Sequence, residues 1–254
     1  MNKLAEQFEA VSSDVDDLFS SFETLQEVFK SGINNIEKSA SSLPYTVNSS
    51  VDNFMQVLNG TDKSVALEQK KISAKLYNQG LVLLYGSSES LLREMFRSLV
   101  RNNLDKVKIK DNVVFTFTEI EQTLGNEAEV KFEDLVLGKL EDEKSPAEKL
   151  NFQNMQQMAG ILKGYFNLLV EDKGLIKKLH LYWQNRHLII HNSGVIDKKF
   201  IDNLKVAGIS TKNYNIGERI KIDKDTYEDC KNALFKLFDT MDAQIKNNNL
   251  KLGD

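Results

Sequence analysis

The scarcity of chain-breaking residues is the strongest constraint on the fold. The chain has only two prolines and 13 glycines in 254 residues. An all-β fold with many turns would need more of both residues. The composition is otherwise that of a folded globular protein, with 41% hydrophobic and 28% charged residues. The sequence therefore predicts an all-α fold built from long helices.

Composition also excludes several functional classes. No apolar run approaches the roughly 18 residues that a membrane-spanning helix needs, and the start MNKLAEQFEA lacks the apolar core of a signal peptide. The single cysteine, Cys230, excludes an intramolecular disulfide and a multi-cysteine metal site. No glycine-rich nucleotide-binding loop occurs. We expect a cytoplasmic protein that neither enters a membrane nor carries a cofactor or a metal.

The first 40 residues have the most regular pattern in the chain. Their apolar side chains recur at alternating spacings of four and three residues, which predicts one long helix over 3–38 that packs against other helices. A serine-rich connector with Pro44 follows at 39–50. We therefore predict an N-terminal helix and connector over 1–62 and a helical domain over 63–254. The apolar positions of the first helix are Leu4, Phe8, Val11, Val15, Leu18, Phe22, Leu25 and Phe29.

The rest of the chain reads as helices with one small β element. A short helix is predicted to stop at Asn59-Gly60, and alternating residues at 107–118 predict a β-hairpin. The segment 217–223 could form a strand, and Cys230 is predicted to be a small buried group. The predicted helices span 51–58, 64–103, 147–171, 175–191, 197–206 and 223–247.

Charge is distributed unevenly although the net charge is only −4. Residues 1–36 hold seven acidic residues and two lysines, whereas residues 173–212 hold eight basic residues and two aspartates. The chain as a whole does not attract nucleic acid. A polyanion would therefore bind in the 173–212 region, if it binds at all.

One arginine is predicted to lie on a buried helix face. Arg186 falls on the apolar stripe of the 175–191 helix, three residues after Trp183 and four before Ile190. A buried guanidinium needs a partner because an unpaired buried charge is costly. Glu89 occupies the equivalent position on the 64–103 helix. A Glu89–Arg186 pair between two core helices is therefore predicted, and such a pair is compatible with either a structural or a chemical role.

The three histidines of the same helix suggest a metal site as an alternative. His180, His187 and His191 lie within about 20° of one helical face. Side chains at positions i and i+7 are about 10 Å apart, so one ion cannot bridge all three. The pair His187–His191 is usable, but residue 188 is leucine, so the glutamate of an HExxH site is missing. Metal catalysis is the weaker interpretation.

The wider sequence around these residues resembles the HEPN superfamily of helical-bundle ribonucleases. The resemblance rests on WQNRHLIIHNSGVIDKKF at 183–200, with SSESLLREMF at 87–96 before it and IGERIKIDKDTYEDC at 216–230 after it. The signature of that family is an arginine, then a polar residue, then a histidine four to six places after the arginine. Here the positions are Arg186, His187 and His191. The resemblance covers 64–247 and implies an all-α, HEPN-like helical bundle, to which the long N-terminal helix and the minor β-hairpin are additions.

This resemblance implies a metal-independent endoribonuclease in which the ribose 2′-hydroxyl attacks the adjacent phosphate and leaves a 2′,3′-cyclic phosphate. His191 is expected to act as general acid or base, because histidine exchanges protons near neutral pH. Arg186 would bind the phosphate, and His187 would support both. Glu89 and Asn192 are the predicted supporting residues. The predicted RNA-binding lysines are Lys177, Lys178, Lys198 and Lys199.

The expected partners follow from the same resemblance. Members of the family usually pair two such helices across a two-fold axis, so a homodimer is expected, with RNA as substrate. A toxin–antitoxin or phage-defence role would require control by an antitoxin or another regulatory protein, or by the N-terminal helix itself. Arg186 and His191 are five residues apart and diverge by about 140° on an ideal helix. They converge only if the helix ends near His191 or if a second chain completes the site.

The alternative function is non-enzymatic. The same helices could form a dimerisation or partner-binding module, with the acidic N-terminal helix as its docking surface. Loss of RNA cleavage in a folded Arg186→Ala or His191→Ala protein would distinguish the nuclease from the module.

Overall fold

A computed structural model describes residues 3–41, 48–103 and 155–253. These residues form helices and connecting loops, with no strand among them and one isolated antiparallel bridge between Val195 and Arg219. The all-α prediction is confirmed for this part of the chain. The predicted hairpin at 107–118 lies outside it and stays a prediction. The helices are α1 (Lys3–Ser41), α2 (Asn48–Asn102), α3 (Met155–Phe166), α4 (Lys173–Asn192), α5 (Lys198–Val206) and α6 (Lys224–Asn247).

Aspartate caps explain where the last three helices begin. The side chain of Asp172 accepts a hydrogen bond from the backbone N–H of Leu175 at the start of α4. Asp197 and Asp223 cap α5 and α6 in the same way. Each cap satisfies one backbone donor that the first helical turn leaves without a partner. The predicted positions of these three helices are confirmed to within two residues.

The predicted break at Asn59-Gly60 is wrong. Helix α2 runs without interruption for 55 residues and passes through both residues. A glycine inside a helix costs about 1 kcal/mol relative to alanine, which a helix of this length tolerates. The predicted domain boundary at residue 62 consequently lies inside α2.

Two further predictions are wrong, namely the end of α3 and the strand at 217–223. Helix α3 stops at Phe166 rather than at 171, because Asn167 adopts a left-handed conformation with φ of 56° and Leu168 donates its N–H back to the carbonyl of Leu162. The segment 217–223 is not a strand. It crosses the loop after α4, where Ile220 donates its N–H to the carbonyl of Gly194, and this contact is too short to form a sheet.

Helix α1 docks on α2 and α6, and its described buried side chains lie in its first half. Leu4 and Phe8 are buried, and Phe19 is partly buried against the core. The predicted docking is therefore confirmed, but the predicted heptad seam is wrong. The face that packs keeps alternating spacings of three and four residues but is rotated from the predicted one, and it consists of Ala5, Phe8, Ser12, Val15 and Phe19. The residues left outside are Val11, Leu18 and Leu25, which are 38%, 56% and 63% exposed.

A glycine permits the close contact between α1 and α2. A Cβ atom added at Gly80 would lie 2.4 Å from the Phe19 ring, which packs edge-on against Tyr227 at a centroid distance of 4.8 Å. Any larger residue at position 80 would push this ring away. Gly80 therefore serves the packing of three helices.

The start of α1 is fixed by the last helix. Asp242, on α6, is 3% exposed and accepts hydrogen bonds from the backbone N–H groups of Leu4 and Ala5, each 3.0 Å long. Lys3 donates to the carbonyl of Gly253. A carboxylate at a helix N-terminus satisfies free donors and is favoured by the helix dipole. The first and last described residues thus lie side by side.

One hydrophobic core joins the helices. Helix α2 packs on α1, α4 and α6, while α4 also contacts α3, α5 and α6. The predicted burial of Cys230 is confirmed, and burial raises the pKa of its thiol far above the ordinary value. None of the six described helices combines the length and apolarity that crossing a bilayer requires. The largest fully buried side chains are Tyr85, Tyr227, Phe8, Phe96, Phe200 and Phe238.

Candidate functional site

The candidate site is built on α4, which the core holds firmly. Leu175, Leu179 and Tyr182 are buried, and the hydroxyl of Tyr85 on α2 donates a 2.8 Å hydrogen bond to the carbonyl of Leu179. The helix ends at Asn192, where Ser193 takes the left-handed conformation with φ of 51°. The predicted HNSG terminus is therefore confirmed. These contacts fix the direction in which each side chain of the last two turns points.

Arg186 and Glu89 form the predicted ion pair. Arg186 Nη1 lies 3.2 Å from Glu89 Oε1, and the two side chains are 19% and 13% exposed. Burial raises the pKa of Glu89, while the charges of Arg186 and Arg93 oppose this rise. Among the described residues, neither Glu89 Oε1 nor Arg186 Nε has a hydrogen-bond partner. The pair thus joins α2 to α4 and leaves donor capacity on the guanidinium unused.

The histidines form a row of rings along another side of α4. The ring centroids of His187 and His191 are 4.4 Å apart, and that of Trp183 lies 6.2 Å from His187. His180 continues the row at 5.5 Å from Trp183. Burial falls along the row, since His180 is buried, His187 is half-buried and His191 is exposed. Water and a solute can therefore reach the His191 end.

The environment of His187 favours its neutral form. Partial burial lowers the pKa of His187 most, and the positive charges of His191, Lys199 and Arg186 lower it further. The carboxylate of Asp197 acts in the opposite direction. At neutral pH this imidazole consequently carries a free lone pair that can accept a proton.

Arg186 and His191 occupy different sides of α4. Helical geometry continues through Asn192, so the ending of the helix does not turn His191 toward Arg186. His191 stacks with His187 on the outer side, whereas Arg186 points to Glu89 on α2. His187 is the residue whose pKa responds to both. The helix thus ends near His191 as predicted, but this end does not bring the two side chains together, and a second chain is the condition that remains.

Asn192 has a structural task in the turn after α4. Its Nδ2 donates a 2.6 Å hydrogen bond to the carbonyl of Val195, and Gly194 donates its N–H to the carbonyl of Leu188. The turn leads directly to Asp197, which caps α5. Asn192 thereby positions the start of α5 beside the histidines.

The four predicted RNA-binding lysines divide into two groups. Lys177 donates to the carbonyl of Gly208, and Lys178 forms a 2.8 Å ion pair with Asp229. Lys198 and Lys199 are exposed at the start of α5, and Lys199 affects the pKa of His187. Lys177 and His191 are separated by 14 residues of helix, or roughly 21 Å. Of the four, Lys199 is the lysine whose charge acts on the histidine pair, and Lys198 precedes it on the first turn of α5.

A buried polar network on α4 was not predicted. His180 Nε2 lies 3.3 Å from Gln184 Nε2, and Asn203 of α5 donates a 3.2 Å hydrogen bond to Gln184 Oε1. Asn185 is also buried, and its Oδ1 has no partner among the described residues. The only sequence signal was the i, i+4 spacing of His180 and Gln184. This network holds α5, and with it Lys198 and Lys199, against α4.

Within residues 3–41, 48–103 and 155–253, no group of three or more histidine, cysteine, aspartate or glutamate side chains could hold a metal ion. Comparison of the chain with protein-family models, curated proteins and solved structures finds no match.

Proposed function

We propose that this protein is a metal-independent endoribonuclease with an HEPN-like fold. The observation that carries the proposal is the His187–His191 pair, with ring centroids 4.4 Å apart, at the exposed end of a helix that also holds Arg186 against Glu89. An imidazole pair supplies a proton acceptor and a proton donor, which are the two groups that cleavage by an internal hydroxyl needs. The sequence resemblance to HEPN ribonucleases supports the same chemistry.

The reaction follows from these groups. A neutral imidazole accepts the proton of the ribose 2′-hydroxyl, and the 2′ oxygen forms a bond to phosphorus. The bond from phosphorus to the 5′ oxygen breaks, and a protonated imidazole delivers its proton to that oxygen. The products are a 2′,3′-cyclic phosphate and a 5′-hydroxyl. His187 suits the role of acceptor because its pKa is lowered, and exposed His191 suits contact with the RNA.

Arg186 would bind the phosphate as negative charge develops on it. A guanidinium keeps its charge at all relevant pH values and can donate two parallel hydrogen bonds to phosphate oxygens. Glu89 orients it. Since Arg186 and His191 point to different sides of α4, we propose a homodimer in which the arginine of one protomer faces the histidines of the other.

Electrostatic attraction of the RNA is assigned to Lys198 and Lys199. Both are exposed on the first turn of α5 beside the histidine pair. Replacing either lysine by glutamine should weaken RNA binding for all sequences, and should make the slope of log K against log salt concentration shallower by about one for each phosphate that is no longer neutralised. Fluorescence anisotropy at several salt concentrations measures this, with Lys178→Gln as the control, because Lys178 is paired with Asp229.

The decisive experiment is RNA cleavage in EDTA. Tag-free protein is incubated with mixed RNA, and the new ends are identified chemically. The native protein should leave 2′,3′-cyclic phosphate and 5′-hydroxyl ends, and His191→Ala should reduce the rate about 10²- to 10⁴-fold while remaining folded. His180→Gln is the matched control, since this histidine is buried. Ends with a 3′-hydroxyl, a requirement for Mg²⁺, or full activity in His191→Ala would overturn the proposal.

A role in toxin–antitoxin or phage-defence systems, in the cytoplasm and under the control of a regulatory protein, fits such an activity.

The second candidate function is a non-catalytic partner-binding module. The exposed apolar residues of α1, Val11, Leu18, Leu25 and Val28, favour it, because exposed apolar stripes mark protein contacts. A protein that binds a partner through α1, yet cleaves no RNA, would establish this alternative.

A further inference from the structure

The His187–His191 pair has the properties of a metal-binding site of its own. The two side chains are four residues apart on one helix, and their ring centroids are 4.4 Å apart. Imidazole nitrogens are preferred ligands of divalent transition metals. We propose that His187 and His191 together bind one divalent ion of the Ni²⁺ and Cu²⁺ class. This site goes beyond the proposed RNA cleavage and does not depend on it.

The separation of the rings decides which ions fit. A metal–nitrogen bond of about 2.0–2.1 Å places the ion roughly 3.2 Å from the centroid of its imidazole ring. Two rings with centroids 4.4 Å apart then meet at a shared ion at an angle of roughly 90°. This angle belongs to square-planar, tetragonal and octahedral complexes, as formed by Cu²⁺ and Ni²⁺, rather than to tetrahedral Zn²⁺. His191 is exposed, so its ring can turn a nitrogen toward the ion.

No other histidine and no cysteine is accessible enough to compete with this pair. The chain contains three histidines and one cysteine in total. The remaining two, His180 and Cys230, are buried. Because the described residues offer no group of three or more protein ligands, water completes the coordination. The expected stoichiometry is one ion for each chain.

The charges around the His187–His191 pair limit its affinity for a divalent cation. Lys199 and Arg186 act on His187 as positive charges and Asp197 acts as a negative one. A divalent cation is repelled by the first two and attracted by the third. Replacing Lys199 by glutamine removes one repulsion without touching a ligand, and should therefore tighten binding.

The test is calorimetric titration of the tag-free, full-length protein with NiCl₂ in a buffer that does not bind metal. One ion should bind to each chain, and thermal unfolding should shift upward because the ion binds the folded state. Saturable binding and the shift should be lost in His191→Gln and in His187→Gln. Both should persist in His180→Gln and strengthen in Lys199→Gln. Circular dichroism verifies that each variant is folded.

Retention of the native affinity in His191→Gln, or an unchanged affinity in Lys199→Gln, would place the ion elsewhere and overturn the site. One consequence rests on the proposed function: a bound ion occupies the lone pairs needed for proton transfer, so saturating Ni²⁺ should stop RNA cleavage. If cleavage continues while calorimetry shows the ion bound to the pair, the metal site stands and the catalytic role of the pair is wrong.

Discussion

The two sides of α4 use polar residues in opposite ways. On the side facing α2, Arg186 is held by Glu89, largely away from water. On the outer side, His187 and His191 stack with each other and reach solvent. Polar groups that are buried need partners, and once they are paired they are fixed. Groups at the surface remain available to a ligand.

One helix therefore carries some residues that stabilise the fold and others that are available for chemistry. The charge of Arg186 still reaches His187, although its side chain is held by Glu89. If the comparison is correct, replacements on the inner side should mainly change the free energy of unfolding. Replacements on the outer side should mainly change binding and catalysis.

The largest effect on stability is expected for Glu89→Ala. This change leaves the Arg186 charge unpaired in a mostly buried place, and should lower the free energy of unfolding by about 2–4 kcal/mol. Urea denaturation measures the decrease. The control is Glu94→Ala on the same helix, which breaks an exposed pair with Arg97 and should cost about 0–0.5 kcal/mol.

The paired replacement Glu89→Leu with Arg186→Met separates charge from packing. Removing both charges leaves no buried ion without a partner, so most of the stability that Glu89→Ala removes should return. If the double variant is as unstable as Glu89→Ala, packing rather than charge pairing explains the decrease.

An intermediate effect is expected for pH. Burial lowers the pKa of both His180 and His187 below 6.5, so between their folded pKa values and 6.5 the unfolded chain binds more protons. The free energy of unfolding should therefore fall as pH is lowered below 6.5 toward those folded pKa values. His180→Gln should make this pH dependence shallower. The raised pKa values of Glu89 and Asp242 act with the opposite sign at lower pH. If the native protein and His180→Gln have the same pH dependence of stability near pH 6.5, the assignment of this dependence to His180 is wrong.

The smallest effect on stability is expected for His191→Gln. The side chain is exposed and contacts mainly His187, so the free energy of unfolding should change by less than about 0.5 kcal/mol. Urea denaturation beside Glu89→Ala gives the comparison directly. A decrease comparable to that of Glu89→Ala would mean that the outer side is structural as well.

The sequence predicted features that depend on local rules. The positions of the last three helices, the HNSG terminus and the Glu89–Arg186 pair follow from spacing along single helices and from the cost of a buried charge. Predictions from the sequence were wrong where the packing of helices against each other determines the structure. Gly60 is tolerated inside α2 because a helix of that length absorbs its cost, and nothing in the spacing of α1 pointed to Phe19.

The candidate site was predicted less completely than the helices. Residue types and their order located Arg186, His187 and His191 on one helix, but not the buried partners Gln184 and Asn203. Asparagine and glutamine side chains are mostly exposed in proteins, so their burial depends on which neighbour supplies a hydrogen bond. That neighbour, Asn203 of α5, is positioned by the turn after α4, which the spacing along α4 does not specify.

The contact of Asp242 with the first turn of α1 has a consequence for biosynthesis. During translation α1 leaves the ribosome more than 200 residues before its capping carboxylate exists. Until then Leu4 and Phe8 lack the surface that covers them, and exposed apolar surface in an incomplete chain promotes aggregation. Helix α1 is thus synthesised well before α6 and is secured only after it.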